Sequence, residues 1–479
     1  MLRRSIPLSC ALAVALLGCS EPPRGPAVPA GSSAPAPTTS ASAAAPPRGP
    51  LGVATFVEDD YARAEAQAKA EGKLLFVDVW APWCHTCLAM KHGVFDAPAL
   101  GAHAASFVFA SLDGDREENA AFVAAHPLRV WPTFFVVDPT SRGIVALYGG
   151  SLSLDELERF LDDAWVAHAG VGGPFADEAK AIAEAHEAFA GKKYERAAEL
   201  YTTASASEWP RRTEALLGAM YSMQSAKAFA RCGSFGVQHL GDVRGASSQA
   251  DFIAILRGCA EKATDIDARK SILSTTLERL RALAAHFPEG ASVDDQADLL
   301  DMLADAEHDA GDDAAARRTH EARLALLEGA AKSAGSSEAA RVFDYARMGS
   351  LLALDRGAEA ETLFLGRVKE FPDSYEAWAR LASTQHTLGK DKPALGSIDR
   401  AIELSYGPRK LRYMVLKAEI QTALGDLSGA RATVEAEIAA HAGLPAGQFD
   451  QAKLDDAKAR LQHAIEAERM AAGPPKPKP

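Results

Sequence analysis

The chain has 479 residues, of which 48% are hydrophobic and 24% charged, and its formal net charge is −13 at pH 7. A chain of this length exceeds one ordinary core, so two or more domains are expected. Net negative charge repels phosphate backbones, and no run of lysine and arginine with interleaved aromatic residues stands out, which argues against nucleic-acid binding. An aromatic content of 7% with abundant alanine favours helices.

Residues 1–18 have the layout of a secretory signal peptide. Arg3 and Arg4 precede an apolar stretch, 6–17, that is too short to span a bilayer. Cleavage of this segment would remove both arginines and take the net charge from −13 to −15.

The signal ends at Leu-Leu-Gly-Cys, with the cysteine at Cys19, and this motif resembles the lipobox of bacterial lipoproteins. The resemblance implies cleavage before Cys19 and acylation of its thiol, which would anchor the protein to a membrane on its periplasmic face. Some bacteria retain lipoproteins in the inner membrane by an aspartate directly after the acylated cysteine. In such bacteria the serine found there, Ser20, favours the outer membrane. The alternative is an ordinary signal peptide in which Cys19 has no such role.

Two segments lack the composition of a folded core. Residues 19–50 are mostly proline, alanine, serine, glycine and threonine, which predicts an extended tether. Residues 471–479 form a tail rich in proline and lysine, which we expect to be disordered.

Residues 51–169 alternate between helical and strand periodicity, which predicts an α/β domain. Gly72 ends the first predicted helix and Pro132 precedes a predicted strand. The predicted elements are a helix over 58–71, buried strands over 74–80, 107–112 and 133–137, an edge strand over 144–148 and a closing helix over 155–165.

Cys84 and Cys87 follow the predicted strand 74–80 and open a helix that runs to about His92. The N-terminus of a helix presents unpaired N–H groups and a positive dipole end, which lower the pKa of a thiol placed there. Cys84 is therefore the candidate nucleophile. Cys87 lies one turn further on the same face, where it would resolve a mixed disulfide formed by Cys84.

The segment Val-Asp-Val-Trp-Ala-Pro-Trp-Cys over 77–84 resembles the active-site strand and turn of thioredoxins. Together with Val-Trp-Pro-Thr over 130–133, it is most similar to the C-terminal domain of the membrane disulfide reductase DsbD and related proteins. The resemblance implies a thioredoxin fold, with a central mixed sheet flanked by helices. It also implies that Pro132 is a cis-proline and that the backbone of Trp131 pairs with an extended substrate.

Three further residues are candidates for the site. Asp78 lies in an apolar strand and matches the buried carboxylate that exchanges a proton with the resolving thiol; the alternative is an edge-strand aspartate facing solvent. His85 would stabilise the Cys84 thiolate as an imidazolium, unless it is a solvated loop residue. Trp83 is a candidate for substrate contact, with packing around the site as the alternative.

Two other uses of a Cys-x-x-Cys pair fit the sequence poorly. Attachment of c-type haem requires a histidine directly after the second cysteine, and Leu88 stands there. A structural zinc site requires four ligands, and no second close cysteine pair accompanies this one, although His85 and His92 are near. We therefore predict no metal and no cofactor.

Residues 170–176 predict a short hinge, and residues 177–470 have helical periodicity throughout. Spacings of glycine and alanine repeat within pairs of amphipathic helices, best in the unit that begins at Tyr375, and resemble tetratricopeptide repeats. The match fades over 209–299, where we expect helices without a repeat count. The resemblance implies an all-α solenoid that recruits protein partners.

Cys232 and Cys259 lie 27 residues apart on two predicted helices joined by a polar segment. In an oxidising compartment these cysteines would form a structural disulfide. Buried free thiols and a redox-signalling pair are the alternatives.

These features predict a membrane-anchored thiol-disulfide oxidoreductase outside the cytoplasm, acting on protein clients and on a redox partner. One alternative is an interaction scaffold in which the thioredoxin-like part is inert. A disulfide oxidase would use the same residues at a higher reduction potential.

Overall fold

The computed structural model describes residues 45–169 and 175–472. The predicted signal peptide 1–18, Cys19 and nearly all of the tether lie outside the described residues, as do most of the predicted hinge 170–176 and of the tail. Within the described ranges, none of the helices combines the length and the hydrophobicity that crossing a bilayer requires.

A five-stranded mixed sheet forms the centre of the first domain, with strand order β1-β3-β2-β4-β5. Strands β1, β3 and β2 are parallel, whereas β4 runs antiparallel to both β2 and β5. Strand β2 is therefore bonded on both sides, and the residues at its end lie at the middle of the sheet. The strands are β1 (Phe56–Glu58), β2 (Leu74–Trp80), β3 (Phe107–Asp113), β4 (Thr133–Val137) and β5 (Ile144–Gly149).

Side chains of β2 alternate between two cores, as strand geometry requires. Phe76 packs with phenylalanines of β3 and β4 and with the helix over Leu154–Ala169. Leu75 and Val77 pack in a second core with the helix over Tyr61–Glu71. The sheet is thus covered by helices on both faces, as the predicted α/β fold requires.

The helices of this domain are short around the cysteine pair and longer elsewhere. The first helix begins at Tyr61 rather than at Glu58, because residues 56–58 form β1 and the Asp60 side chain caps the helix through the Arg63 N–H. The helices are α1 (Tyr61–Glu71), α2 (His85–Ala89), a π-helix (Met90–Phe95), 3₁₀ turns (Leu100–Ala105 and Glu117–Asn119), α3 (Ala120–Ala125) and α4 (Leu154–Ala169).

The rest of the described chain is helical, including residues 209–299, where the repeat match fades. Neighbouring helices pack in pairs, such as α16 with α17 and α18 with α19. Gly389 and Gly425 adopt positive φ in the turns of these two pairs, a conformation that glycine adopts without strain. The helices are α5 (Ala176–Ala190), α6 (Tyr194–Ala204), α7 (Arg212–Ser225), α8 (Phe229–His239), α9 (Ala246–Lys262), α10 (Ile266–Ala285), α11 (Val293–Asp309), α12 (Asp313–Ser333), α13 (Ser337–Ala340), α14 (Asp344–Ala353), α15 (Gly357–Glu370), α16 (Tyr375–Thr387), α17 (Asp391–Leu404), α18 (Gly407–Ala423), α19 (Leu427–Ala442) and α20 (Gln451–Ala472).

Small residues set the close approach of the paired helices. Ala382 on α16 and Ala394, Ile398 and Ala401 on α17 are fully buried. The short side chains of the three alanines let the two helix axes approach closely, and Ile398 packs in the same core. These positions are those that the repeat pattern predicts as packing residues.

Cys232 on α8 and Cys259 on α9 are joined by a disulfide, and both side chains are fully buried. The bridge closes a loop with a sequence separation of 27. Of the alternatives considered from the sequence, the structure therefore holds the bonded pair.

Candidate active site

The cysteine pair lies where β2 ends and α2 begins, at the middle of the sheet. Cys84 is the N-cap of α2, and its Sγ accepts a hydrogen bond from the backbone N–H of Cys87 at 3.1 Å. The two sulfurs are joined in a disulfide. When the pair is reduced, the same N–H and the helix dipole favour the ionised form of the Cys84 thiol.

Two tryptophans contribute to the apolar surroundings of the disulfide. The rings of Trp83 and Trp131 meet edge to face with centroids 5.4 Å apart, and both pack against Cys84 and Cys87. The peptide bond between Trp131 and Pro132 is cis. The structure therefore brings Trp83 and the Trp131-Pro132 segment to the cysteine pair.

Asp78 is buried on the central strand β2, with 1% of its side chain exposed, so it is not a solvent-facing edge residue. The Ser111 hydroxyl lies 3.4 Å from one carboxylate oxygen, and the other oxygen has no hydrogen-bond partner. Burial raises the pKa of Asp78 to about 7, against the opposing charge of Lys91 and the bond from Ser111. A carboxyl group with this pKa exchanges protons at neutral pH.

His85, the first residue of α2, is paired with the helical domain rather than with solvent. Its Nδ1 lies 2.8 Å from one carboxylate oxygen of Asp294 and 3.1 Å from the other. Burial alone would lower the pKa of His85, but the charges of Asp294 and Asp298 outweigh it and raise that pKa to about 9. The imidazole is therefore protonated at neutral pH.

The same three side chains meet the geometric requirement for a cation site. Ligand atoms of His85, Asp294 and Asp298 lie within 4.8 Å of one another. However, the positive charge of Arg380 already acts on this cluster, and a bound cation would be repelled by it. We therefore interpret the cluster as a network of ion pairs.

Trp83 is held from several sides. Its indole N–H donates to Asp115 at 2.6 Å. The guanidinium of Arg409, on α18, lies over its ring at 4.3 Å, and the guanidinium of Arg380, on α16, donates to its carbonyl at 3.3 Å. The peptide directly before the nucleophile is thus fixed by residues of the helical domain.

Further contacts join the helical domain to the loop after β3. The Tyr406 hydroxyl donates to Asp113, and the Gln448 side chain donates to the carbonyl groups of Gly114 and Arg116 at 3.0 and 2.9 Å.

Tyr345, on α14, stacks on His85 with ring centroids 5.6 Å apart. The helical domain therefore surrounds the N-terminus of α2.

This packing leaves little of the cysteine pair open to solvent. Only 5% of Cys84 and 1% of Cys87 are exposed. A cleft of about 480 Å³ is lined by Trp80, Pro82 and Leu88 of the first domain and by residues 338, 341, 370–374 and 376 of the helical domain, and neither cysteine lines it. Its helical wall carries the carboxylates of Glu338, Glu370, Asp373 and Glu376 together with Arg341, Phe371, Pro372 and Ser374.

Sequence reasoning did not find the residues that the helical domain contributes. Asp294 and His85 are separated by 209 positions, and no local pattern relates them. Arg380 and Arg409 occupy helices whose pattern indicates packing alone. The acidic start of α11 is the one local signal, and it is also typical of an ordinary helix N-terminus.

Residues 56–139 match a family model described as thioredoxin-like, whereas no curated protein matches the sequence. Among solved structures, the chain is similar to a tetratricopeptide repeat protein from Parabacteroides merdae, at 14% identity and a TM-score of 0.38, over 60% of this chain and 99% of that one. It is also similar to the TPR2AB-domain:pHSP90 complex of yeast Sti1, at 16% identity and a TM-score of 0.22, over 60% and 98% of the two chains. Together with the sheet topology described above, the family match shows that residues 56–139 belong to a thioredoxin-like domain, which is followed by paired helices of the helical-repeat type.

Proposed function

We propose that the protein is a thiol-disulfide oxidoreductase whose redox couple is Cys84 and Cys87. The observation that carries the proposal is the position of the Cys84 sulfur at the start of α2, where it accepts the Cys87 N–H and lies within disulfide distance of its partner. This position favours a thiolate, which is the reactive form in disulfide exchange.

In the reducing direction, the Cys84 thiolate attacks one sulfur of a client disulfide. A mixed disulfide forms and the other client sulfur leaves as a thiolate. Cys87 then loses its proton and attacks the Cys84 sulfur, which releases the second client thiolate and leaves the Cys84–Cys87 disulfide. The client gains two electrons, and an external dithiol reductant must return the pair to its reduced state.

Asp78 is the proposed acceptor of the Cys87 proton. Its pKa of about 7 suits a group that takes a proton and returns it at neutral pH. Its unpartnered carboxylate oxygen is available for this purpose.

The helical domain would restrict which clients reach the couple. Because Cys84 is almost fully covered, the two domains would have to separate locally before a client disulfide reaches its sulfur. The tetratricopeptide-like repeats suggest that the clients are proteins. A client disulfide in an exposed loop would reach the Cys84 sulfur more readily than one in a flat folded surface.

Coverage of the couple also favours a second candidate function. Cys84 is 5% exposed and Cys87 is 1% exposed. A disulfide covered to this extent is suited to a structural role, in an interaction scaffold without redox activity. This candidate predicts that Cys84 and Cys87 remain oxidised in the presence of clients and are dispensable for partner binding.

Replacing either cysteine separates these candidates. We expect Cys84→Ser to abolish reduction of insulin disulfides, because no nucleophile remains, and Cys87→Ser to accumulate mixed disulfides through Cys84. Insulin reduction is measured by the rise in turbidity, and the trapped mixed disulfides are identified by mass spectrometry. Cys232→Ser with Cys259→Ser is the control pair and should retain activity; wild-type activity in Cys84→Ser would contradict the proposal.

Asp78 gives a pH-dependent prediction. A carboxyl whose pKa is raised from 3.8 to about 7 lowers the stability of the fold as pH rises through that interval, by about 4 kcal/mol once it is fully ionised. We therefore expect Asp78→Asn to raise the free energy of unfolding above pH 7, to raise it less at pH 5, and to slow resolution by Cys87.

Urea unfolding at several pH values, followed by tryptophan fluorescence, measures the stability effect. Asp155→Asn, an exposed position of the same domain, is the matched control and should change little. Equal effects of Asp78→Asn at pH 5 and pH 8 would contradict the assigned titration.

We further propose that the protein is exported and anchored through acylated Cys19 at the periplasmic face of a bacterial membrane, with the outer membrane favoured. The lipobox-like motif supports this, and so does the buried Cys232–Cys259 disulfide, since structural disulfides persist in oxidising compartments. The tether would hold the redox domain away from the bilayer.

Metabolic labelling in a bacterial host tests the anchor. We expect the full-length chain to incorporate labelled palmitate and to fractionate with membranes, and Cys19→Ser to lose the label. Cys10→Ser, within the predicted signal, is the control and should keep it. A processed protein without label would favour the ordinary signal peptide instead.

A further inference from the structure

Helix α11 delivers a carboxylate to the first residue of α2. Asp294 is 2% exposed and directs both of its oxygens at the His85 ring. Its neighbour Asp295 forms the capping box with Ser292, so Asp294 is not needed to cap the helix. The contact of Asp294 with His85 therefore has no evident role in starting α11.

We propose that Asp294, assisted by Asp298, is a positioning residue of the redox site: from the helical domain it holds His85 as an imidazolium beside Cys84 and so favours the Cys84 thiolate. The inference rests on the proposed function and deepens it. It implies that the helical domain completes the chemistry of the thioredoxin-like domain as well as covering it.

The groups that face His85 come from four elements. Helix α11 contributes the two carboxylates, Asp294 and Asp298. Helix α14 contributes the Tyr345 ring, which stacks on the imidazole, and α16 contributes Arg380, whose charge opposes protonation. Within α2, the Thr86 hydroxyl lies 3.5 Å from Nδ1. The two carboxylates outweigh the one guanidinium.

The directions in which the pKa values of His85 and Asp298 shift agree with this arrangement. Burial would lower the pKa of His85, yet the carboxylates raise it to about 9. Burial also raises the pKa of Asp298, with the charge of His85 opposing that rise. Asp294, which contacts Nδ1 directly at 2.8 Å, is therefore the main counter-ion of the imidazolium.

Loss of Asp294 should remove the proton from His85, because burial then dominates. The Cys84 thiolate would lose a neighbouring positive charge and need a higher pH to form. We expect Asp294→Asn to slow alkylation of reduced Cys84 at pH 6 by about threefold to tenfold, with the midpoint of its pH profile shifted upward.

The experiment measures the rate of iodoacetamide modification of Cys84 against pH in the full-length chain carrying Cys87→Ser. Asp294→Glu keeps the charge and should restore much of the profile. Asp305→Asn makes the same charge change on α11 away from His85 and is the matched control. In a His85→Ala background, Asp294→Asn should no longer shift the midpoint, since the imidazole through which it acts is absent.

Two results would overturn the inference: an unshifted profile in Asp294→Asn, or an equal shift with and without His85. If Asp294→Asn fails to fold, Asp294→Ser is used, and its shift must also depend on His85. Failure here is distinguishable from failure of the proposed function. In the first case the chain with both cysteines still reduces insulin although the alkylation profile stays unshifted, whereas in the second no variant reduces insulin.

Discussion

The packing of the helical domain onto the Trp83–Cys84 turn is the contact on which the properties of the site depend. Arg380 binds the Trp83 carbonyl and Arg409 lies over its ring. Trp83 in turn packs on Trp131 and on the cysteine pair. Removal of water from this region raises the cost of unpaired charge and strengthens the ion pairs that remain. The low exposure of Cys84 and the charge state of His85 both follow from it.

Two ionisable groups lie in the strand-turn-helix segment that carries the cysteine pair, and their surroundings favour the neutral form of Asp78 and the charged form of His85. Asp78 has no nearby cation strong enough to offset its burial, so its pKa rises to about 7. His85 has two carboxylates that more than offset burial, so it stays charged. In the proposed mechanism, Asp78 exchanges a proton with Cys87 and His85 stabilises charge at Cys84. This division of labour needs residues from both domains.

The sequence predicted the elements whose local signals are strong. Strands over 74–80 and 133–137 have the predicted bounds, because long apolar runs follow Gly72 and Pro132. Strand β1, with three residues, is too short to produce a periodic signal, and the predicted first helix begins at its last residue, Glu58. Residues 209–299 are helical although their repeat pattern fades, since helical periodicity survives where the repeat spacing does not.

Prediction of the candidate site was confined to one domain for a physical reason. Cys84, Cys87 and Asp78 occur within one strand-turn-helix segment, so their relation is local and readable. The pairing of His85 with Asp294 depends on how two domains dock, and docking depends on the shapes of whole surfaces rather than on spacing. The repeat pattern led us to expect that the helices recruit partners. It did not predict that they contact the segment around Cys84.

Equilibration of the intact protein with glutathione buffers of graded ratio tests the central claim most directly. The alkylated Cys84–Cys87 peptide is then quantified by mass spectrometry. A redox-active couple should shift reversibly between disulfide and dithiol as one two-electron step, while Cys232–Cys259 stays oxidised. A Cys84–Cys87 disulfide that persists in excess reduced glutathione until the chain is unfolded would contradict the account and assign this bridge a purely structural role.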